Sequence, residues 1–288
     1  MLVEALHYLI TPCDPRLRRL GYLRELIATE ARARRCRHAW RPHLERARAV
    51  IETAIAETRE RDRAVVLGGG LIHDIPLDAL ARAFRNVALV DVCFARRTRR
   101  AVRALPNVTL QTFDLTGVAD QLAAGAPHIE VGGAASPGRH ATLDWICSAD
   151  LVISANLLSQ LPLIPLGFLL RRDGPGDGTA LDDLARALID DHLGLLKNCR
   201  GTVCLITELE RLTCDGDAVV ERDSAVFGAD LDLAGETWTW DIAPRPEACP
   251  DRDVRLRVGS AIWPARSSGT QPPVGAPHLN LGSPDSNA

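Results

Sequence analysis

The 288-residue sequence has one lysine, Lys197, and two tyrosines, Tyr8 and Tyr22. A phosphate-binding P-loop needs a Gly-Lys-Ser/Thr step at its turn. No lysine stands near the triple glycine at Gly68 to Gly70, so ATP binding of that kind is excluded. The tyrosine–lysine acid pair of short-chain dehydrogenases is excluded too, because the residue four before Lys197 is Leu193 and both tyrosines lie near the start. Cysteine is present eight times but never in Cys-x-x-Cys spacing, and the histidines lack i, i+4 pairing. Neither a zinc centre nor a secreted disulfide framework is indicated, and no metal is expected. No apolar run approaches the roughly 20 residues of a membrane span. The first residues carry Glu4 and Asp14 and no basic start followed by an apolar core, so no signal peptide is expected. A cytoplasmic location follows as an expectation. A net charge of −3 argues against a nucleic-acid partner gripped over the whole surface.

What is present divides the chain into three. Residues 1–62 read as an N-terminal helical cap. Over 37–62, Trp40, Leu44, Ala47, Ile51, Ala54 and Ile55 recur at helical spacing, and an earlier helix is expected over about 15–31. Up to Arg63 there are 14 arginines against nine acids. That excess suits either a solvated helical surface or a lid for an anionic substrate. Residues 63–265 change period. Short apolar runs at 64–67, 87–90, 108–113, 151–153 and 202–207 alternate with helical stretches, the signature of βαβ units. After Glu210, the segments AVVERDSAVF, ETWTWDI and DVRLRVGSAIW follow one another with no helix between them. The fold class is therefore α/β: a doubly wound, mostly parallel Rossmann-like sheet with a helical cap and antiparallel edge strands. Residues 266–288, rich in Ser, Gly, Pro and Asn, read as a disordered tail.

The centre of interest is AVVLGGGLIHDIPLDALARAFRNVALVD, residues 64–91. A glycine turn after a first strand lets backbone approach a ligand and offers amide N–H groups to an anion. An acid ending the second strand about 20 residues on is placed for ribose hydroxyls. Asp91 has that place, whether the ribose belongs to a nicotinamide, flavin or S-adenosylmethionine cofactor. His73 and Asp74, in the lengthened turn, read as groups that touch a cofactor or cap the helix, with capping favoured for Asp74. At the fourth strand's end Asn156, Ser159 and Gln160 offer hydrogen bonds to a ligand or cap a helix. His192, on an apolar helical face, is a satisfied core histidine or a general base at a pocket floor. Glu208, Glu210 and Arg211 stand at the sheet's ligand-binding edge, as surface charge pairs, the favoured reading, or as ligand groups. Trp238 and Trp240 share one strand face, packed on the sheet or lining a cation site.

Four places resemble the class I (Rossmann-like) S-adenosylmethionine-dependent methyltransferases, over about 64–212. AVVLGGG is similar to the family's first motif, ALVDV to its second, QTFDLTG to its third and DLVISANLLSQLP to its fourth. The first motif departs from the family pattern: Val66 and Leu67 stand where an acid is usual, and Ile72 replaces the third glycine. The resemblance implies S-adenosylmethionine as cofactor, held by Gly68, Gly69, Gly70, Asp91, Asp114, Leu115 and Asn156. Asp91 would take the ribose and Asp114 the adenine amino group. It also implies methyl transfer to an acceptor, a small molecule being favoured, with Asn156 and His192 as candidate catalytic residues. The alternatives are a non-catalytic Rossmann-like binding module and a nicotinamide-dependent oxidoreductase.

Overall fold

The computed structural model describes residues 2–133, 136–174, 178–231 and 233–266. The expected tail therefore lies, apart from Arg266, outside the described residues. Four helices come first: α1 (Leu2–Ile10), α2 (Pro15–Leu20), α3 (Tyr22–Arg35) and α4 (Arg37–Glu57). The single helix expected over 15–31 is two. Gly21, at φ 111°, caps α2 in the left-handed region, where a helix cannot continue. Asp14 starts α2 by accepting the Arg16 N–H at 2.8 Å.

Strands and helices then alternate: β1 (Arg63–Leu67), α5 (Leu77–Ala83), β2 (Asn86–Asp91), α6 (Arg96–Val102), β3 (Val108–Thr112), α7 (Ala119–Ala124), α8 (Pro137–Cys147), β4 (Leu151–Ala155), α9 (Leu163–Asp173), α10 (Gly178–Asn198) and β5 (Thr202–Asp215). β1 to β5 pair in parallel in the order 3-2-1-4-5. Three further strands, β6 (Ala218–Ser224), β7 (Thr237–Ala243) and β8 (Asp253–Trp263), complete one eight-stranded sheet. β8 and β6 run antiparallel to β5, and β7 antiparallel to β8. β5 outruns the expected 202–207 because residues 210–215 leave the parallel ladder and form a hairpin with β6.

Alternation along the strands decides which helices cover which face. Ala64 and Val66 of β1, Leu151 and Ile153 of β4, and Cys204 and Ile206 of β5 share a core with Trp40, Ala47 and Ile51 of α4. Val65, Leu67, Val152, Val203 and Leu205 face the other way, against Ile146 of α8 and Ile189, Leu193 and Leu196 of α10. Both faces of the sheet are thus covered, as the unbroken apolar runs require. Each fully buried Val or Leu contributes about 1.5–3 kcal/mol relative to exposure. No helix among the described residues is long and apolar enough to cross a membrane.

Candidate active site

The strand order reverses between β1 and β4, and an open α/β sheet parts its loops at such a point, beyond the carboxyl ends of its strands. A cleft of about 200 Å³ lies there. Gly68, Asp91, Asp114, Leu115 and Asn156 all line it. α3 and α4 close it from the cap side with Tyr22, Glu25, Trp40 and His43, and β7 adds Trp240.

The triple glycine is used differently from the sequence expectation. Gly68 and Gly69 donate their N–H groups to Val90 O (2.9 and 3.2 Å), and Gly70 donates to Asp91 Oδ2 at 2.7 Å. None of the three glycine amides is therefore left for an anion. Its glycines allow close packing instead: a Cβ on Gly69 would stand 2.9 Å from the Leu89 Cβ, and one on Gly70 2.4 Å from the Cys93 carbonyl oxygen. Of the three, only Gly68 lines the cleft.

The two expected acids are both anchored by backbone. Asp91 accepts from Gly70 through Oδ2 and from Val92 N–H through Oδ1 at 2.7 Å, with Cys93 N–H further off at 3.4 Å. Loss of water pushes its pKa up to about 6, against the pull of those N–H groups. Asp114 accepts the Thr116 N–H and hydroxyl (2.9 and 2.6 Å) and, through Oδ2, the Ala119 N–H at 2.9 Å. It thereby caps the first turn of α7. A carboxylate has about four lone-pair sites, so each acid keeps capacity for a ligand.

Asn156 sits one residue beyond β4 at φ 50°, a left-handed conformation that Asn tolerates better than most side chains. Its Nδ2 lies 2.6 Å from Asp74 Oδ2 and 3.1 Å from His43 Nε2, and its Oδ1 is buried with no partner. Asp74 is not a helix cap. Pro76 holds the N-cap position of α5 and has no side-chain cap bond, while Asp74 turns inward, 8% exposed. Burial pushes its pKa up to about 6, and its bond from Asn156 and the charge of Arg48 oppose that. His43 was missed in the sequence. It lies three residues after Trp40 on the buried face of α4, beside the apolar stripe that the spacing marks. It stacks on Trp240 at 3.9 Å and accepts the Trp238 indole N–H through Nδ1 at 3.0 Å. Burial holds it neutral, its pKa lowered to about 3. The two tryptophans thus pack against the cap. Trp40 meets Trp240 edge-on at 4.9 Å and donates to Ile242 O at 2.8 Å.

Other candidates fall elsewhere. His192 is not at the cleft floor. It is 2% exposed, its Nε2 lies 3.0 Å from the Ser154 hydroxyl, and burial lowers its pKa to about 4. Its helix α10 packs on the opposite side of the sheet from α4, as the second core requires. Glu208 is buried and accepts the Ser159 hydroxyl, while Glu210 pairs with Arg222 and Arg257 at the surface. Among the described residues no cluster of His, Cys, Asp and Glu is arranged to hold a metal ion.

Four cleft-lining side chains have a buried polar atom without a partner: Tyr22 Oη, His73 Nε2, Asn156 Oδ1 and Trp240 Nε1. Buried polar atoms are nearly always satisfied, and each one left alone costs about 1–3 kcal/mol. Their concentration here marks a place completed by something other than the chain. The charged side chains lining the cleft are all acids, Glu25, Asp74, Asp91 and Asp114; among the described residues no arginine or lysine lines it.

No protein-family model and no curated protein matches the chain. Solved structures similar to it include a DhpI-SAM-HEP complex, with 14% identity, 87% of this chain and 100% of that one covered, and a TM-score of 0.38. An O-methyltransferase family protein from Burkholderia thailandensis matches at 15% identity over 85% of this chain and 60% of its own, with a TM-score of 0.36. A putative type II methyltransferase from Anaeromyxobacter dehalogenans matches at 15% over 75% and 94%, with a TM-score of 0.32.

Proposed function

We propose that the chain is an S-adenosylmethionine-dependent methyltransferase acting on a small molecule. The observation that carries this reading is the cleft itself: Asp91, Asp114 and Asn156, drawn from three strand ends, meet where four buried polar atoms lack partners. Asp91 is assigned to the ribose hydroxyls and Asp114 with Leu115 to the adenine. The sulfonium cofactor supplies the activated methyl group, and the chain's work is to position the partners and exclude water. Charge supports the choice of cofactor. An acid-lined cleft suits a ligand bearing a sulfonium and an ammonium group. A dinucleotide's pyrophosphate is usually held by the amides of such a glycine turn or by a cationic side chain, and the three glycines here have spent theirs on Val90 and Asp91. That weighs against the nicotinamide alternative.

The test is calorimetric titration of the purified chain with S-adenosylmethionine, S-adenosylhomocysteine and NAD. Micromolar binding of the first two, at least tenfold weaker in a folded Asp91→Ala variant, is the expected result. Binding of NAD alone would replace the reading with an oxidoreductase. No heat from any of the three would leave the non-catalytic module.

A further inference from the structure

The hydrogen bonds around Asn156 do not close when Asp74 is ionised. The Trp238 indole is a donor only, so His43 Nδ1 must accept and the neutral ring carries its proton on Nε2. That Nε2–H faces the Asn156 Nδ2 at 3.1 Å, donor against donor, while Asn156 Oδ1 stays buried and unpartnered. A half-turn of the amide puts its oxygen against His43, but also 2.6 Å from Asp74 Oδ2, which is tolerable only if Asp74 carries a proton to donate. With that proton in place three contacts align, Trp238 to His43, His43 to Asn156 Oδ1 and Asp74 to the same oxygen, while the amide N–H groups turn to the place the oxygen left, where the chain offers no partner. The network has a vacancy for one proton, and the vacancy is on a carboxyl that lines the cleft.

We propose that Asp74 is the catalytic residue that takes the proton given up by the methyl acceptor, and that the acceptor is a protic amine or hydroxyl group rather than a carboxylate or phosphate. This rests on the methyltransferase reading. As the acceptor's N–C or O–C bond forms, the methyl carbon's bond to sulfur breaks with its electron pair going to sulfur. The acceptor's N–H or O–H proton passes to Asp74, and the Asn156 amide turns to accept from the new acid. No arginine or lysine lines the cleft among the described residues, the nearby Arg48 being engaged by the His73 carbonyl, so an anionic acceptor would meet mainly carboxylates, and Trp240, stacked on by His43, keeps an unpartnered N–H. The charged and titratable groups facing Asp74 are Arg48 and His43 from α4, the adjacent His73, whose carbonyl accepts from Arg48, and Glu208 from β5.

Two measurements test it. In isotope-labelled chain titrated from pH 4.5 to 8, the Asn156 side-chain amide and His43 Nε2 signals should shift with the midpoint of the Asp74 carboxyl carbon. In Asp74→Asn they should stay still. Signals that ignore pH in the native chain, which needs no variant to fold, overturn the relay, as does movement that persists in Asp74→Asn. In chain saturated with S-adenosylhomocysteine, benzylamine should bind at least tenfold tighter than benzoate, and Asp74→Asn should remove that advantage. Equal or undetectable binding of the two overturns the acceptor class. Failure of S-adenosylhomocysteine itself to bind would instead remove the methyltransferase reading and leave the amide titration standing as a separate result.

Discussion

One wall of the cleft, Gly68 with Asp91 and Asp114, backed by Gly69 and Gly70, comes from neighbouring strand ends, and its contacts run mostly between side chain and backbone. The facing wall takes Trp40 and His43 from the cap, Asp74 from a loop, Asn156 from β4 and Trp240 from β7, joined side chain to side chain. His43 and Trp238 stand 195 residues apart in sequence. Backbone contacts hold the first wall at nearly fixed geometry. The second depends on each member's shape and protonation, so it is where single substitutions should cost most stability and where pH should act.

The largest expected effect follows directly. Trp40→Ala removes a side chain 3% exposed together with its edge contact to Trp240. It should cost about 3–5 kcal/mol in urea denaturation. A loss under 1 kcal/mol would mean that the cap and β7 are not welded together. Gly70→Ala attacks the other wall. Its Cβ has no room beside the Cys93 carbonyl and the Asp91 carboxylate, so overpacking should cost about 1–3 kcal/mol. S-adenosylhomocysteine affinity should fall at least tenfold as Asp91 is displaced. Unchanged stability and affinity would show that this turn can yield.

The third comparison uses pH. The folded Asp74 keeps its proton up to about pH 6, whereas an unfolded Asp releases it near 3.9. Between these values the folded chain binds more protons, so its stability falls as pH rises through the window. Asp74→Asn should lack this fall, and the native-minus-variant stability should decline by on the order of 2 kcal/mol from pH 4 to 7. His43, His73 and His192, all held neutral by burial, act in the opposite sense as pH drops below about 6.5. They are common to both proteins and cancel in the difference. A flat difference curve would place water beside Asp74. The smallest effect belongs to the outer face of α4, where Glu45 meets Arg41 at 3.8 Å with both side chains exposed. Glu45→Gln should move stability by less than about 0.5 kcal/mol, a control against which the buried face is read.

The same division explains what could be read from residues alone. The five parallel strands follow from apolar runs alternating with helices, and the place of Asp91, Asp114 and Asn156 at strand ends follows from where those runs stop. Neither needs a contact between distant elements. The glycines marked a close approach, but not that strand β2 would absorb their amides, because sequence carries the turn and not its partner. His43 was hidden because a histidine on an apolar stripe reads as core until β7 supplies the indole that fixes its tautomer. Asp74 looked like a cap because the loop before α5 offers no local sign of Asn156, 82 residues later. The break at Gly21 was missed because the apolar spacing continues across it in α3.

The bond between His43 and Trp238 also sets an order of assembly. At roughly 5–20 residues per second of synthesis, the 195 residues between them take about 10–40 s to appear. During that interval the sheet strands as far as β6 are made and can pair while the aromatic face of α4 waits for β7. Ribosome-arrested chains ending before Thr237 should therefore bind an apolar-surface dye that chains extending past Trp263 do not. An uncovered helix face of this kind is where chaperones hold a nascent chain and where aggregation begins. Yield from an expressing cell is then governed by how soon the last strands arrive as much as by the stability of the finished molecule.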